Sequence, residues 1–340
     1  MTSLDNRPSG AAAPAVSPAP ILEVLGGFRA AKFLMAAGEL GLFEALADAP
    51  ATLDVLATRT GLTPRAARIC ADAMVAVGLL ERDGDEYRNS PAAATFLAGA
   101  SPADLRPVLR LSDRFSYPSW GNLADALRNG PAAAQITGLD PEMQRIFSEG
   151  VEALNVGPAA ALAATGHFAD RRRLLDIGGG TGSWSIAVAR ANPGLTATVF
   201  ELPQVIDIAR HRVAEQELAD RIDLVGGDLL ADDLPTGYDC GLLANVVHCF
   251  SPEENRLVLE KARRAAAPGA RLLLVDHWTD PTHTQPVIAA LMAGEYAVNI
   301  AHGDVYSLVE GQEWLAATGW RFVAHEPFPG GKSMIVAEAV

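Results

Sequence analysis

The run Leu174-Leu175-Asp176-Ile177-Gly178-Gly179-Gly180-Thr181-Gly182 constrains the fold of this chain more than any other segment. Residues 174–177 read as a short apolar strand that carries an acid near its end. Gly178, Gly180 and Gly182, with Gly179 among them, let the backbone pass close beneath a ligand before a helix opens near Ser183. A strand, a glycine loop and a helix in that order make the binding corner of an open parallel sheet, where ligands lie outside the carboxyl ends of the strands. The segment downstream agrees. Apolar runs at 174–177, 196–201, 222–225, 240–247 and 271–276 alternate with helical patterns, and two late runs follow near 321–326 and 333–338. That alternation predicts an α/β domain over residues 171–340, with crossover helices on a mostly parallel sheet.

The residues around the loop discriminate between its possible ligands. A dinucleotide fingerprint requires glycine at the sixth position of Gly-x-Gly-x-x-Gly, and here that position is Ser183. It would also set a diphosphate against the loop, beside the carboxylate of Asp176. S-adenosylmethionine instead brings an ammonium and a sulfonium, for which that acid is an asset. The next strand ends in Glu201, placed to accept hydrogen bonds from both ribose hydroxyls. The third leads into Gly227-Asp228-Leu229, where the Asp228 carboxylate can accept from an adenine amino group. Leu202, Leu229 and Asn245 complete the expected cofactor set. Acids at the carboxyl ends of three consecutive strands favour a cofactor site over a solvated glycine turn.

Upstream, the pattern is different. Residues 1–20 are rich in Ala, Pro and Ser, with neither a basic start nor an unbroken apolar stretch, and read as a disordered tail. Residues 21–100 read as short amphipathic helices followed by a hairpin around Asp83-Gly84-Asp85, with Thr52 and Thr63 as caps and Pro64 at a first helical position. Three helices and a hairpin predict a winged helix. Its third helix offers only Arg65 and Arg68 as early cations and its hairpin is acidic, and the whole chain carries a net charge of −14. Phosphate backbones attract the opposite balance, so packing or dimerisation is expected rather than nucleic-acid binding. Residues 101–170 read as a helical connector that covers the active site. No apolar run approaches the ~20 residues that span a bilayer. Cys70, Cys240 and Cys249 are too scattered for a disulfide framework, which makes the cytoplasm the expected location.

On these residues the chain resembles a known family. Residues 174–182, Glu201-Leu-Pro203, Gly227-Asp228, Val247-His248-Cys-Phe-Ser-Pro-Glu-Glu254 and Pro268-Gly-Ala-Arg-Leu-Leu-Leu-Val-Asp276 are similar to the class I methyltransferases. More narrowly, they resemble the small-molecule O-methyltransferases with an N-terminal winged-helix dimerisation domain. The resemblance implies a Rossmann-like α/β domain with a seven-stranded, mostly parallel sheet whose last strand is antiparallel. It also implies a homodimer and a small-molecule acceptor.

Methyl transfer from a sulfonium is an in-line displacement, so the protein must orient the acceptor and remove a hydroxyl proton. His248, after the fourth strand, matches the family's catalytic histidine, and Asp276 the carboxylate that orients it. Two departures stand out. The family's His-Asp-Trp is His248-Cys249-Phe250 here, and a second carboxylate is missing from His302-Gly-Asp-Val-Tyr-Ser307, where Asp304 lies one position away. They leave a rival open. In related 2-oxo-acid C-methyltransferases a divalent metal is held by two histidines, and His248 and His302 are similar to that pair, with Asp276, Asp304 or Cys249 as a third ligand. A regulator that uses the cofactor as effector is a third reading. For the acceptor pocket, a helix over 286–301 puts Met292, Tyr296 and Asn299 on one face, and Phe147 and Trp120 can close it from the connector.

Overall fold

The computed structural model describes residues 16–99, 101, 103–131 and 139–340. Most of the expected tail lies outside these residues, and helix α1 (Ala19–Glu39) already opens inside its last two positions. The chain divides into two compact units, Met1–Ala94 and Thr95–Val340.

In the first unit α1 is one continuous helix, not a series of short ones, although it contains Gly26, Gly27 and Gly38. Beyond it come β1 (Ala51–Thr52), α2 (Leu53–Thr60), α3 (Pro64–Ala76), β2 (Leu80–Asp83) and β3 (Glu86–Asn89), with the strands ordered β1-β3-β2 and antiparallel. Thr63 caps α3 by accepting from the Ala66 amide at 3.3 Å, while Thr52 sits at the N-cap of α2 without a side-chain bond. Gly84 turns the hairpin at φ +60°, a region that costs a side chain strain. Leu42, Phe43, Leu56, Met74, Leu80 and Tyr87 fill the core. This is the winged-helix arrangement. Arg68 is paired to Asp72 on its own helix, and Asp72 also accepts from Tyr87 Oη at 2.7 Å. One end of α1 remains apolar and open, with Ile21 72% and Val24 84% exposed, and Leu25 and Phe28 beside them.

Helix α4 (Pro91–Phe96) straddles the division. The second unit continues with α5 (Arg106–Leu111), a π-helical turn over Ser112–Ser116, α6 (Tyr117–Trp120), α7 (Leu123–Asn129) and the long α8 (Pro141–Ala163). Asp140 caps α8 by accepting from the Met143 amide at 2.9 Å, and Pro141 fits the first turn, where no amide partner is needed. Gly150 lets α8 press on α5, since a Cβ there would lie 2.5 Å from that of Leu111.

The sheet then builds as β4 (Arg173–Ile177), α9 (Ser183–Ala191), β5 (Thr196–Glu201), α10 (Pro203–Glu215), β6 (Ile222–Gly226), β7 (Tyr238–Ala244), α11 (Pro252–Ala265) and β8 (Ala266–Asp276). Helices α12 (Val287–Asn299) and α13 (Leu308–Ala317) precede β9 (Trp320–Phe328) and β10 (Lys332–Ala339). The strand order is β6-β5-β4-β7-β8-β10-β9, with the first five parallel and β10 antiparallel to both neighbours. Alternation along β4 splits the core into two layers: Leu174 joins Trp184, Val188 and Val199 on one face, and Leu175 and Ile177 join Leu243, Val258 and Trp314 on the other. A sheet apolar on both faces must be covered on both, which the crossover helices do.

Two strand ends differ most from their expected places, and the first is the start of β8, at Ala266 rather than 271. The fourth parallel strand stops at Ala244 rather than at 247, because Asn245 takes a left-handed φ of +59° and residues Val247–Cys249 form a 3-10 turn. A left-handed residue breaks strand geometry, and Asn is among the few side chains that tolerate it. The break turns His248 out of the sheet.

Candidate active site

The glycine loop is shaped by its neighbours. Gly178, Gly180 and Gly182 all have positive φ. A Cβ at Gly179 would lie 2.6 Å from Asp176 Cγ, whereas one at Gly180 would meet nothing within 4 Å. The Asp176 carboxylate thus lies under the loop, fully buried, and the space above Gly180 is open. Asp176 Oδ2 accepts from Ser185 Oγ at 2.7 Å, while Oδ1 is buried with no hydrogen-bond partner among the described residues. Burial disfavours its charge, and although Ser185 helps, the pKa is pushed up to about 6. An orphaned buried acceptor beneath a glycine cradle fits a ligand that brings a cation and donors.

The other expected cofactor residues ring this loop. Glu201, at the end of β5, accepts from the Gly180 amide at 3.0 Å and the Leu202 amide at 2.7 Å. Asp228 follows β6 and accepts from the Leu230 amide at 2.8 Å. Leu229 and Val246 flank Gly178, where a Cβ would come within 2.9 Å of Val246. Asn245 donates to Asn155 Oδ1 at 3.0 Å and accepts from Lys332 Nζ.

Three supporting groups escaped the sequence reading. Glu152 of α8 accepts from Thr181 Oγ1 at 3.2 Å, from Ser183 Oγ and from Arg212, tying the loop to two helices. Buried Lys261 donates to the carbonyls of Leu229, Leu230 and Asp232 at 2.8–2.9 Å, fixing the loop after β6. Lys332, at the start of β10, reaches Asn245; its burial lowers its pKa against the pull of Asp276. A lone Glu or Lys in sequence signals nothing of the kind, because each partner set comes from a distant segment.

His248 and Asp276 meet at the carboxyl ends of β7 and β8. His248 Nδ1 lies 2.9 and 3.1 Å from the two Asp276 oxygens, and the His248 amide donates to Oδ2 at 3.3 Å. The His277 amide donates to Oδ1 at 2.8 Å, so Asp276 is aimed by its own backbone as well. Burial opposes the charge on the ring, but Asp276 outweighs it, with Cys249 adding, and the pKa of His248 is pushed up to about 10. Burial likewise opposes the charge on Asp276, yet His248 holds it below the usual carboxylate range. The two partners agree: the charged pair is the favoured form. Tyr296 stacks on the imidazole with ring centroids 4.0 Å apart and planes 4° from parallel.

The remaining candidates divide between α12 with its clamp, the connector and the surface beside α11. His302 is exposed, and its Nδ1 lies 3.2 Å from both oxygens of Glu254. Glu254 stands there because it closes a capping box with Ser251 at the start of α11. His248 and His302 thus each turn Nδ1 to a carboxylate of their own. Among the described residues no group of three or more His, Cys, Asp or Glu side chains could hold a metal ion. Asp304 accepts from the Val305 amide at 2.7 Å. Met292 packs with Ala289, Tyr296 and Val305. Asn299 is buried, with Nδ2 bonded to Glu295 and Oδ1 without a partner among the described residues. Trp120 rests on Gly294 and donates to Glu295, holding α6 to α12. Phe147 packs edge-on to Phe115 at 5.3 Å, against a cluster containing Leu111 and Ile146.

Comparisons with known proteins identify the family. A family model described as an O-methyltransferase domain matches residues 121–321, and an O-methyltransferase dimerisation domain matches residues 22–99. The chain is 31% identical over 326 residues to the tetracenomycin polyketide synthesis 8-O-methyl transferase TcmO of Streptomyces glaucescens, covering 94% of this chain and 96% of that one. It is 32% identical over 337 residues to the 3-hydroxy-5-methyl-1-naphthoate 3-O-methyltransferase of Streptomyces sahachiroi, covering 96% and 97%. The crystal structure of the S-adenosylmethionine-dependent methyltransferase SibL superposes with a TM-score of 0.81 at 29% identity, covering 95% of this chain and 99% of that chain. These similarities favour transfer to oxygen over the 2-oxo-acid and regulator readings. No helix among the described residues is long and apolar enough to cross a membrane.

Proposed function

We propose, from the premise that this chain belongs to the family of S-adenosylmethionine-dependent O-methyltransferases with an N-terminal dimerisation domain, that it methylates a phenolic or enolic hydroxyl of a small aromatic or polyketide-like acceptor with His248 as the proton acceptor. The observation that carries the reading is the buried His248–Asp276 pair, which uses Nδ1 and leaves Nε2 for the acceptor.

S-adenosylmethionine, when bound, supplies a methyl group on a sulfonium, already activated for in-line displacement. The cradle of Gly178, Gly180 and Gly182 would let its methionine portion approach the backbone. Asp176, with its partnerless Oδ1, would balance the ammonium. Glu201 would exchange the amides of Gly180 and Leu202 for ribose hydroxyls, and Asp228 would accept from the adenine amino group. Leu202 and Leu229 offer apolar sides to the base, and Asn245 would hold the cofactor's inner edge.

Asp276 keeps the Nδ1 proton in place, so that Nε2 is the nitrogen that receives a proton. Because Asp276 raises the imidazole, the ring must shed its resting proton before it can take one from the acceptor, and a phenol or enol is acidic enough to yield it. A simple alcohol, far weaker as an acid, would leave that transfer uphill. The two Streptomyces relatives support an acceptor of this class, since one is named for a hydroxynaphthoate and the other for polyketide synthesis. Dimerisation through the first unit is part of the proposal, supported by the matched domain and by the open apolar face of α1.

The test is a panel of hydroxylated aromatics and aliphatic alcohols, incubated with S-adenosylmethionine after dialysis against chelator, with products identified by mass. Methylated phenols from the unmodified protein and from His302→Ala, with loss in His248→Ala, are expected. Turnover of aliphatic alcohols alone, or full activity without His248, refutes the proposal.

A further inference from the structure

We propose that Tyr296 is a positioning residue for the base: its ring lies flat on one face of His248, aims Nε2 at the acceptor and stabilises the positive charge that the imidazole gains when it takes the proton. This deepens the O-methyl transfer reading and rests on it.

The geometry is specific. Neutral aromatic pairs prefer edge-on or offset contacts, whereas a cation favours the negatively polarised face of a ring. A near-parallel stack at 4.0 Å and 4° suits an imidazole that spends its cycle gaining and losing a proton. Tyr296 is itself buried, in a cluster with Ala289, Met292 and Val305, so its plane is fixed from behind. The adjacent residue on α12, Glu295, accepts from Ser116 Oγ at 2.8 Å, from Trp120 Nε1 and from Asn299 Nδ2 at 3.0 Å. That clamp holds the helix, and with it the tyrosine, in register with the connector.

The other restraints on His248 come from different groups. Asp276 takes Nδ1, and the His248 backbone is held from both sides, its amide by Asp276 and its carbonyl by the Asp304 amide at 3.1 Å. Asp276 is the only carboxylate bonded to the ring among the described residues. With no second acid among them to grip the imidazole, the tyrosine face supplies the missing restraint. The titratable groups around the pair are Asp276 and Cys249 beside both rings, His277 near His248, and Glu295 near Tyr296. Burial, then Asp276, raises the phenol of Tyr296 far above its ordinary value, so it stays neutral and contributes its ring rather than a charge.

The experiment is an NMR titration of His248 in the full-length protein with 15N-labelled imidazoles, run on the unmodified protein, Tyr296→Phe and Tyr296→Leu, with kcat and KM measured in parallel. Tyr296→Phe keeps the ring face and should titrate and turn over within about twofold of the unmodified protein. Tyr296→Leu should lower the midpoint by about one pH unit and the kcat reached on the plateau above that midpoint by about tenfold, with the KM for S-adenosylmethionine unchanged. Tyr296→Met gives the same contrast should the leucine variant fail to fold. An unmoved midpoint in a folded Leu or Met variant overturns the proposal, and so does a Phe variant as impaired as Leu. The titration is read without an acceptor, so it is independent of turnover; full activity in His248→Gln would instead sink the base assignment.

Discussion

Replacing Asp276 with asparagine keeps the shape of the side chain and removes its charge. In the native site Asp276 is 1% exposed and accepts from His248 Nδ1, from the His248 amide and from the His277 amide. The amide oxygen of the substituted side chain can still satisfy main-chain donors, but its NH2 then faces Nδ1. A donor there forces Nδ1 to accept, which moves the ring proton to Nε2, the atom that must be free for the acceptor. The loss of one charge-assisted buried bond is about 3 kcal/mol, which predicts a fall in kcat of about 100-fold. The pH dependence gives a second, independent readout. With Asp276 present, His248 is raised and surrenders its proton only near pH 10, so kcat/KM should climb through the range above neutrality. Without the carboxylate, burial is opposed only by Cys249 and the imidazole falls, so the acid limb should move to lower pH even as the ceiling drops. The assay is kcat and kcat/KM on one phenolic acceptor in both proteins, so that the acceptor's own ionisation cancels, with cofactor affinity checked by calorimetry. A loss under about fivefold, or an acid limb that stays in place while cofactor affinity is intact, would refute the orienting role of Asp276.

Two further outcomes follow from the geometry. Because Asp176 sits raised to about 6, its ionised form is the one an ammonium selects; cofactor affinity should weaken as pH falls through 6, and Asp176→Asn should lose roughly 1–3 kcal/mol together with that pH dependence in calorimetry. On α1, Leu25→Glu with Phe28→Glu puts charges on the open apolar face and should shift sedimentation from dimer toward monomer at equal protein concentration, and an unchanged sedimentation coefficient would place the dimer contact elsewhere.

The fold was largely legible because its evidence is local. Apolar strands alternating with helices, glycines after Ile177 and acids at strand ends are visible within short windows, and the strands fall near their expected places. The departures come where distant segments decide. Asn245 reads as strand until Asn155 and Lys332 are seen on its side chain, and the left-handed turn it makes is what brings His248 out of the sheet. His302 looks like the second half of a metal pair by sequence alone, and its Glu254 partner, set in place by the capping box at Ser251, is invisible there. Phe147 and Tyr296 are both aromatic residues on helices near the site, and nothing in their sequence neighbourhoods separates a residue packed in the connector from one stacked on the base.

The placement of β10 between β8 and β9 bears on how the polypeptide emerges during synthesis. Strand β8 carries Asp276 at its end, and its outer neighbour is β10, with Ser333 opposite Asp276. Until residues 332–339 leave the ribosome, residues 272–275 of β8, fully buried in the finished protein, present an open hydrophobic edge. Nascent chains stalled short of that point expose a sticky strand to one another and to chaperones. The strand that carries Asp276 is therefore among the last to be covered, and chains truncated before residue 332 should pellet as aggregates on centrifugation rather than remain as weakened enzymes.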